Sequence, residues 1–425
     1  MIFADDEGRP LDVLPDSLPT TDWGGLRPGV FGVYLGRVMD SISVARDSSI
    51  TIFIHGGLVP TDEALHRGRV MLERVIAFNY RVPELRTYPL WFNWAGGPVQ
   101  SLGERAIHRH GDSSGSTLLS VATLLPRLGL GLGRAVLEAP RTTLDQLSNW
   151  TRRDGNVEAN QQRIAELQTL KPELSISALG DQVPPGFWNG ALTVATAATG
   201  LVLGPILADG AATPVWKELV ERTRWSMWSA DDTGTESLPE RGALRNLLDS
   251  LQARYDSGNA GGAPLPRRIV LVGHSMGAII ANQVLTEFPD LPISDIVYLA
   301  GAASIRETAL AVVPVLRRNS AVQFWNVTLH PGNEAKDVAI PFLASGSFLE
   351  WIDRYHEPRG TSFDAMVGRF ENFLRGVDAF PDSVLGQIHL KAIGEDDPGY
   401  RPFRHGQFGY GEFPYWDPAR WRQPD

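Results

Sequence analysis

Residues 267–280 read RRIVLVGHSMGAII, and no other stretch limits so tightly what the chain can fold into. Ile269 to Val272 is an unbroken branched apolar run, as expected of a strand buried on both faces. Gly273-His274-Ser275-Met276-Gly277 follows, then a small-residue apolar segment running to Val284. The spacing predicts a strand, a sharp turn and a helix, with Ser275 at the turn. The glycines at 273 and 277 leave room where a tight turn would drive side chains into strand and helix. A serine so placed has its hydroxyl pushed out above the sheet edge. The helix N-terminus behind it adds partial positive charge where an anion develops.

Other apolar runs fall before and after this one. Residues 50–54 (ITIFI), 87–94 (TYPLWFNW), 295–300 (DIVYLA), 321–329 (AVQFWNVTL) and 384–393 (VLGQIHLKAI) read as strands. Residues 30–38 (VFGVYLGRV) alternate and read as a further strand, with 42–46 as its hairpin partner. Helices are expected over 61–80, 213–228, 238–255 and 304–317. Strands alternating with helices predict an α/β fold with a mostly parallel central sheet covered on both faces. Residues 1–29, rich in Pro, Gly and Asp, read as an irregular arm.

Residues 98–213 break the pattern and read as an insertion forming a helical cap or lid, with 30–97 and 214–425 as the core. Within it, residues 186–208 (ALTVATAATGLVLGPILA at the centre) have about the length of a membrane span. The threonines, Gly204 and Pro205 make the stretch only weakly apolar, and no basic flank marks an inside end. A buried cap helix is the expected reading. A lid touching lipid or a hydrophobic substrate is the alternative, so peripheral membrane contact stays open.

The chain has 425 residues, enough for a large core with an insertion. Net charge is −10 with no Lys/Arg cluster, so nucleic acid is not an expected partner. There is no cysteine, which excludes disulfides, thiol catalysis and Cys-ligated zinc. His108 and His110 have no neighbours to complete a ligand set, so no metal and no cofactor are expected. The acidic N-terminus lacks a basic region followed by an apolar core, so a cytoplasmic location is the default expectation.

The strand at 50–54 ends in His55-Gly56-Gly57. Acyl transfer places negative charge on a carbonyl oxygen, and two preorganised N–H groups must meet it. Met276, after the serine, supplies one candidate and Gly57 the other, since glycine lets backbone approach a substrate closely. A serine also needs a base, and the base a carboxylate to hold its tautomer. Nine histidines compete. His55 and His274 sit inside the two glycine motifs, and His66, His108 and His110 precede the serine. His330 and His356 come before the last strand, and His389 lies within it. His405, on a loop after that strand, is the expected base. For the carboxylate, Glu334 is preferred as nearest the end of the 321–329 strand. Asp337 stays open, with Asp353 as an outside choice.

These features resemble the α/β-hydrolase superfamily: the HGG loop at 55–57, the elbow Gly273-His274-Ser275-Met276-Gly277, and the late His405. GHSMG is a form common among its esterases, lipases and thioesterases. The resemblance covers roughly 30–94 and 214–408 and leaves the insertion out. It implies a Ser–acid–His triad, no cofactor, and hydrolysis of esters, thioesters or amides. It usually offers an Asp where Glu334 is preferred here. The expected function is therefore a serine esterase or lipase-like hydrolase working through an acyl-enzyme on Ser275, His405 and Glu334. Its substrate is expected to be a small hydrophobic acyl ester, from the aromatic strand end at Trp91, Phe92 and Trp94 and the apolar insertion. Transfer of the acyl group to an acceptor other than water, and a non-catalytic lipid- or protein-binding module, are the competing readings.

Overall fold

Parallel strands dominate the architecture. The computed structural model describes residues 2–4, 9–11, 28–45, 47–57, 59, 61–94, 156–177, 213–228, 241–257, 265–337, 347–355, 361–393, 402–410 and 413–422. In chain order the strands are β1 (Ile2–Ala4), β2 (Pro10–Leu11), β3 (Ser49–Ile54), β4 (Thr87–Asn93), β5 (Ser175–Ile176), β6 (Ile269–His274), β7 (Ile293–Leu299), β8 (Gln323–Leu329) and β9 (Ile388–Ile393). Among the described residues they form one nine-stranded sheet in the order β2-β1-β4-β3-β6-β7-β8-β9-β5. Every neighbouring pair is parallel except β1 with β2.

The helices are α1 (Pro28–Ala45), α2 (Thr61–Arg81), α3 (Asn156–Leu170), α4 (Thr213–Trp225), α5 (Ala243–Asp256), α6 (Gly277–Glu287), α7 (Ile305–Arg318), α8 (Pro331–Lys336), α9 (Phe348–Tyr355), α10 (Phe370–Gly376) and α11 (Ala419–Arg422). The chain leaves β3 for β4 on one side, then crosses back to build β6 to β9 on the other. The carboxyl ends of β3 and β6 therefore flank the switch point, where sheets of this kind leave a crevice. Ile54 pairs with Gly273 there, which brings the HGG loop and the serine turn side by side.

The two faces are covered differently. On one, α6 packs along the sheet, and the Tyr298 hydroxyl donates to Asn282 Oδ1 at 2.6 Å. α7 follows it, opened by a capping box between Ser304 and Glu307. Its buried Ile305, Ala309, Val312 and Leu316 recur at helical spacing. On the other face the register places Trp91, Phe53, Val272, Val297, Trp325 and His389 in one row across the sheet. Residues 413–422 lie against this row as an aromatic strap. Tyr415 stacks on Phe53 at 4.3 Å and Trp421 meets Trp325 edge-on at 5.5 Å. Arg422 then closes on Asp295, at 2.6 and 2.5 Å to its two oxygens. Asp295 is fully buried two residues before Val297, so it points to the same face.

Three expectations are corrected. Residues 28–45 form helix α1, not a hairpin. Phe31, Leu35, Val38, Met39 and Ile42 are its buried positions, spaced at four, three, one and three residues, while Val33 and Val44 are exposed. The N-terminal arm is not wholly irregular, since β1 and β2 extend the sheet beside β4. Part of the expected insertion also joins the core. β5 pairs with β9, and α3 buries Ile164 and Leu167. The 186–208 segment lies outside the described residues. Among those residues no helix is long and apolar enough to cross a membrane.

Candidate active site

The turn after β6 is strained as a serine at a strand-to-helix elbow must be. Ser275 has φ 52°, the left-handed region that non-glycine residues avoid. Neighbouring backbone holds it there. Its N–H donates to Leu299 O at 2.9 Å, and its carbonyl accepts from Ala278 N at 3.1 Å and Ala302 N at 2.8 Å. Ala300, in the loop after β7, is also left-handed at φ 45°. Ser275 is half-buried, and its hydroxyl makes no hydrogen bond to any described residue.

Close packing explains the glycines. A Cβ on Gly277 would overlap the Ile54 carbonyl, so the helix can start against β3 only with glycine there. A Cβ on Gly56 would stand 2.8 Å from Ser275 Cβ, and one on Gly57 would overlap Met276 Sδ. The two residues expected to stabilise an oxyanion, Gly57 and Met276, are thus in contact. Neither N–H donates to any described residue.

His55 fixes the HGG loop. Its Nδ1 lies 2.6 Å from Gly56 O, a carbonyl that can only accept, so Nδ1 carries the proton. Nε2 then accepts the Trp94 N–H at 3.1 Å, while the Trp94 indole donates to His55 O at 2.9 Å. Burial pulls the His55 pKa down to about 4, so the ring stays neutral and structural. Trp91, Phe92 and Trp94 are fully buried core, with Trp91 stacked on Phe53 at 4.4 Å. The aromatic strand end, one of the two grounds for expecting a hydrophobic acyl substrate, is thus packed as core.

His405 opens a short 3-10 turn and is 9% exposed. Its ring lies 5.3 Å from that of His274, the residue before the serine. Burial lowers its pKa to about 4, so at neutral pH the ring is neutral, the form a general base requires. Its Nδ1 is buried with no hydrogen-bond partner among the described residues.

The structure separates the three carboxylates. Asp337, at the C-terminal end of α8, accepts the His405 main-chain N–H at 2.8 Å. Burial raises its pKa, opposed by that bond and by the nearby Arg404 charge. Glu334 receives the Ser347 hydroxyl instead. Burial pushes its pKa up to about 8, against the lowering pull of Arg369. Asp353 is fully used, taking Met366 N at 2.8 Å, Arg369 Nη1 at 2.9 Å and Asn372 Nδ2 at 2.8 Å. Only Asp337 of the three bonds to His405.

Sequence reasoning gave His274 only a loop-shaping part. Here it is buried, with Nε2 3.2 Å from the His405 carbonyl. Its place inside GHSMG, next to the serine, was the one signal for it. His66 is exposed on α2, and His108, His110 and His356 lie outside the described residues. Among the described residues no cluster of His, Asp or Glu could hold a metal ion.

Residues 223–422 match the Alpha/beta hydrolase family, a family that supports a hydrolase-type function. The match takes in Ser275, Asp337 and His405 and leaves out β3 and the HGG loop. No curated protein and no solved structure matches the chain.

Proposed function

We propose, from the premise that the chain belongs to the α/β-hydrolase superfamily, that it is a serine hydrolase cleaving carboxylic esters. One observation carries the reading: Ser275 is held at positive φ with the HGG loop packed directly on it. A backbone strain of this kind, costing about 1–3 kcal/mol, persists where the surroundings over-determine it, and active sites are where it gathers.

In this reading Ser275 Oγ attacks the acyl carbon and His405 takes its proton. The Gly57 and Met276 N–H groups receive the oxyanion. His405 returns the proton to the departing alcohol, leaving an ester on Ser275. Water then attacks that ester with His405 again as base, and releases the carboxylic acid. Asp337 is the favoured acid, because it alone of the candidate carboxylates bonds to the His405 residue, through its main-chain N–H. Ser275 and His405 must close to hydrogen-bond distance for the first transfer, as such bonds commonly do only in the reacting complex.

A hydrophobic acyl group remains the proposed substrate, now on the composition of the insertion alone. Comparing p-nitrophenyl acetate with p-nitrophenyl octanoate tests it. The octanoate is expected to show the higher kcat/KM. A preference for acetate overturns the substrate class, and no turnover of either by folded protein overturns the esterase reading.

A further inference from the structure

We propose that His274 is a positioning residue: by donating its Nε2–H to the His405 carbonyl, it sets where the base stands relative to Ser275. This rests on the reading of Ser275 as nucleophile and His405 as base.

The carbonyl of His405 can only accept, so the 3.2 Å contact assigns the proton to His274 Nε2 and leaves a lone pair on Nδ1. That Nδ1 has no hydrogen-bond partner among the described residues. It faces glycine on two sides instead. A Cβ on Gly56 would stand 3.1 Å from it, and a Cβ on Gly409 3.0 Å. The ring is therefore wedged between the HGG loop and the segment that carries His405. Its own backbone leads directly to Ser275. A single side chain thus touches nucleophile turn, HGG loop and base segment, and its one polar bond goes to the base residue. A ring kept only to fill space needs neither that bond nor glycine on both sides.

Two substitutions separate these roles. His274→Phe keeps ring volume and loses the donor, while His274→Gln restores an N–H near the same place. Three readouts apply: the rate of fluorophosphonate labelling at Ser275, kcat and KM on p-nitrophenyl butyrate, and titration of the His405 imidazole by NMR. The groups facing this pair are few: Asp337 at the His405 N–H, Arg404 beside Asp337, and Arg67 and His55 towards His274.

His274→Phe is expected to slow labelling and kcat together by about 10- to 100-fold, the scale of a misplacement near 1 Å, with KM within about twofold. The His405 titration should move up from about 4 as its ring loosens towards solvent. His274→Gln should return all three close to parental values. Parental labelling and an unmoved titration in His274→Phe overturn the proposal, as does a Gln variant as slow as Phe. If the Phe variant fails to fold, Gly409→Ala presses on the ring with the donor intact. It should give the same fall, and an unchanged rate overturns the proposal. A parent that takes no label at all rejects the hydrolase reading, and the His405 titration then decides the positioning role by itself.

Discussion

Trp94 and His55 are bonded to each other twice, backbone to ring and ring to backbone, at 3.1 and 2.9 Å. The pair ties the end of β4 to the loop after β3, and so fixes the glycines that lie on Ser275. Trp94→Phe keeps the aromatic packing and removes the indole donor. It leaves a buried carbonyl unpaired, at a cost of about 1–3 kcal/mol. A lower denaturant midpoint with an unchanged slope is the expected result, accompanied by slower labelling of Ser275. An unchanged midpoint would show that the second bond contributes nothing.

The two loop glycines should differ. A Cβ on Gly56 runs into Ser275 Cβ, which is anchored to the strained turn, whereas one on Gly57 meets the flexible end of Met276. Gly56→Ala is expected to lower kcat by about 100-fold or more, comparable to losing an oxyanion donor. Gly57→Ala should lose distinctly less. Steady-state kinetics on a p-nitrophenyl ester decide it, and the reverse order would mean that Ser275 does not sit where the loop presses.

The elbow and most of the sheet were readable from the chain because the core strands are largely apolar runs, and β3, β4 and β6 lead into glycine-rich turns. Helix α1 was not. VFGVYLGRV alternates closely enough to imitate a strand, and only the burial of Phe31, Leu35, Val38, Met39 and Ile42 reveals the helical stripe. The strap at 413–422 carries no periodic signal, since its anchoring is aromatic and ionic, through Tyr415, Trp421 and Arg422. β5 is too short to register as a strand before its partner β9 is known. At the site, spacing pointed to Ser275 and His405, but the carboxylate depends on which way the turn after β8 faces. Glu334 and Asp337 are three residues apart and point to different partners.

Stability should peak near pH 6.5. Burial holds His55, His389 and His405 at about 4 and His274 well below its ordinary value. The unfolded chain therefore binds more protons below about pH 6.5, and stability falls as pH drops from there towards 4. Glu334 acts in the opposite direction. Its pKa near 8 favours the folded state below the usual carboxylate range, and that contribution is lost as pH rises to 8. Glu334→Gln should flatten the decline between pH 6.5 and 8 while keeping the acid limb. Thermal melts across this range check it, and a wild-type Tm still rising at pH 8 would contradict the assignment.

Asp337→Asn keeps an oxygen for the His405 N–H but removes the charge, so the loop should stay in place. If Asp337 supports the imidazolium, kcat should fall by about a thousandfold or more, the scale seen when a triad carboxylate is neutralised. Glu334→Gln should leave kcat within about threefold, since its side chain faces Ser347. Kinetics of both variants, with Tm as control, separate the two carboxylates. A larger loss from Glu334→Gln would return the acid to that position.

The central claim is that Ser275 is an activated nucleophile with His405 as its base. A fluorophosphonate labels only such a serine, so the most direct measurement compares its reaction with the parent chain, Ser275→Ala and His405→Ala. One label per parent chain, mapped to Ser275 and absent from both folded variants, is the predicted result. A folded parent that takes no label, or a label that survives Ser275→Ala, would contradict it.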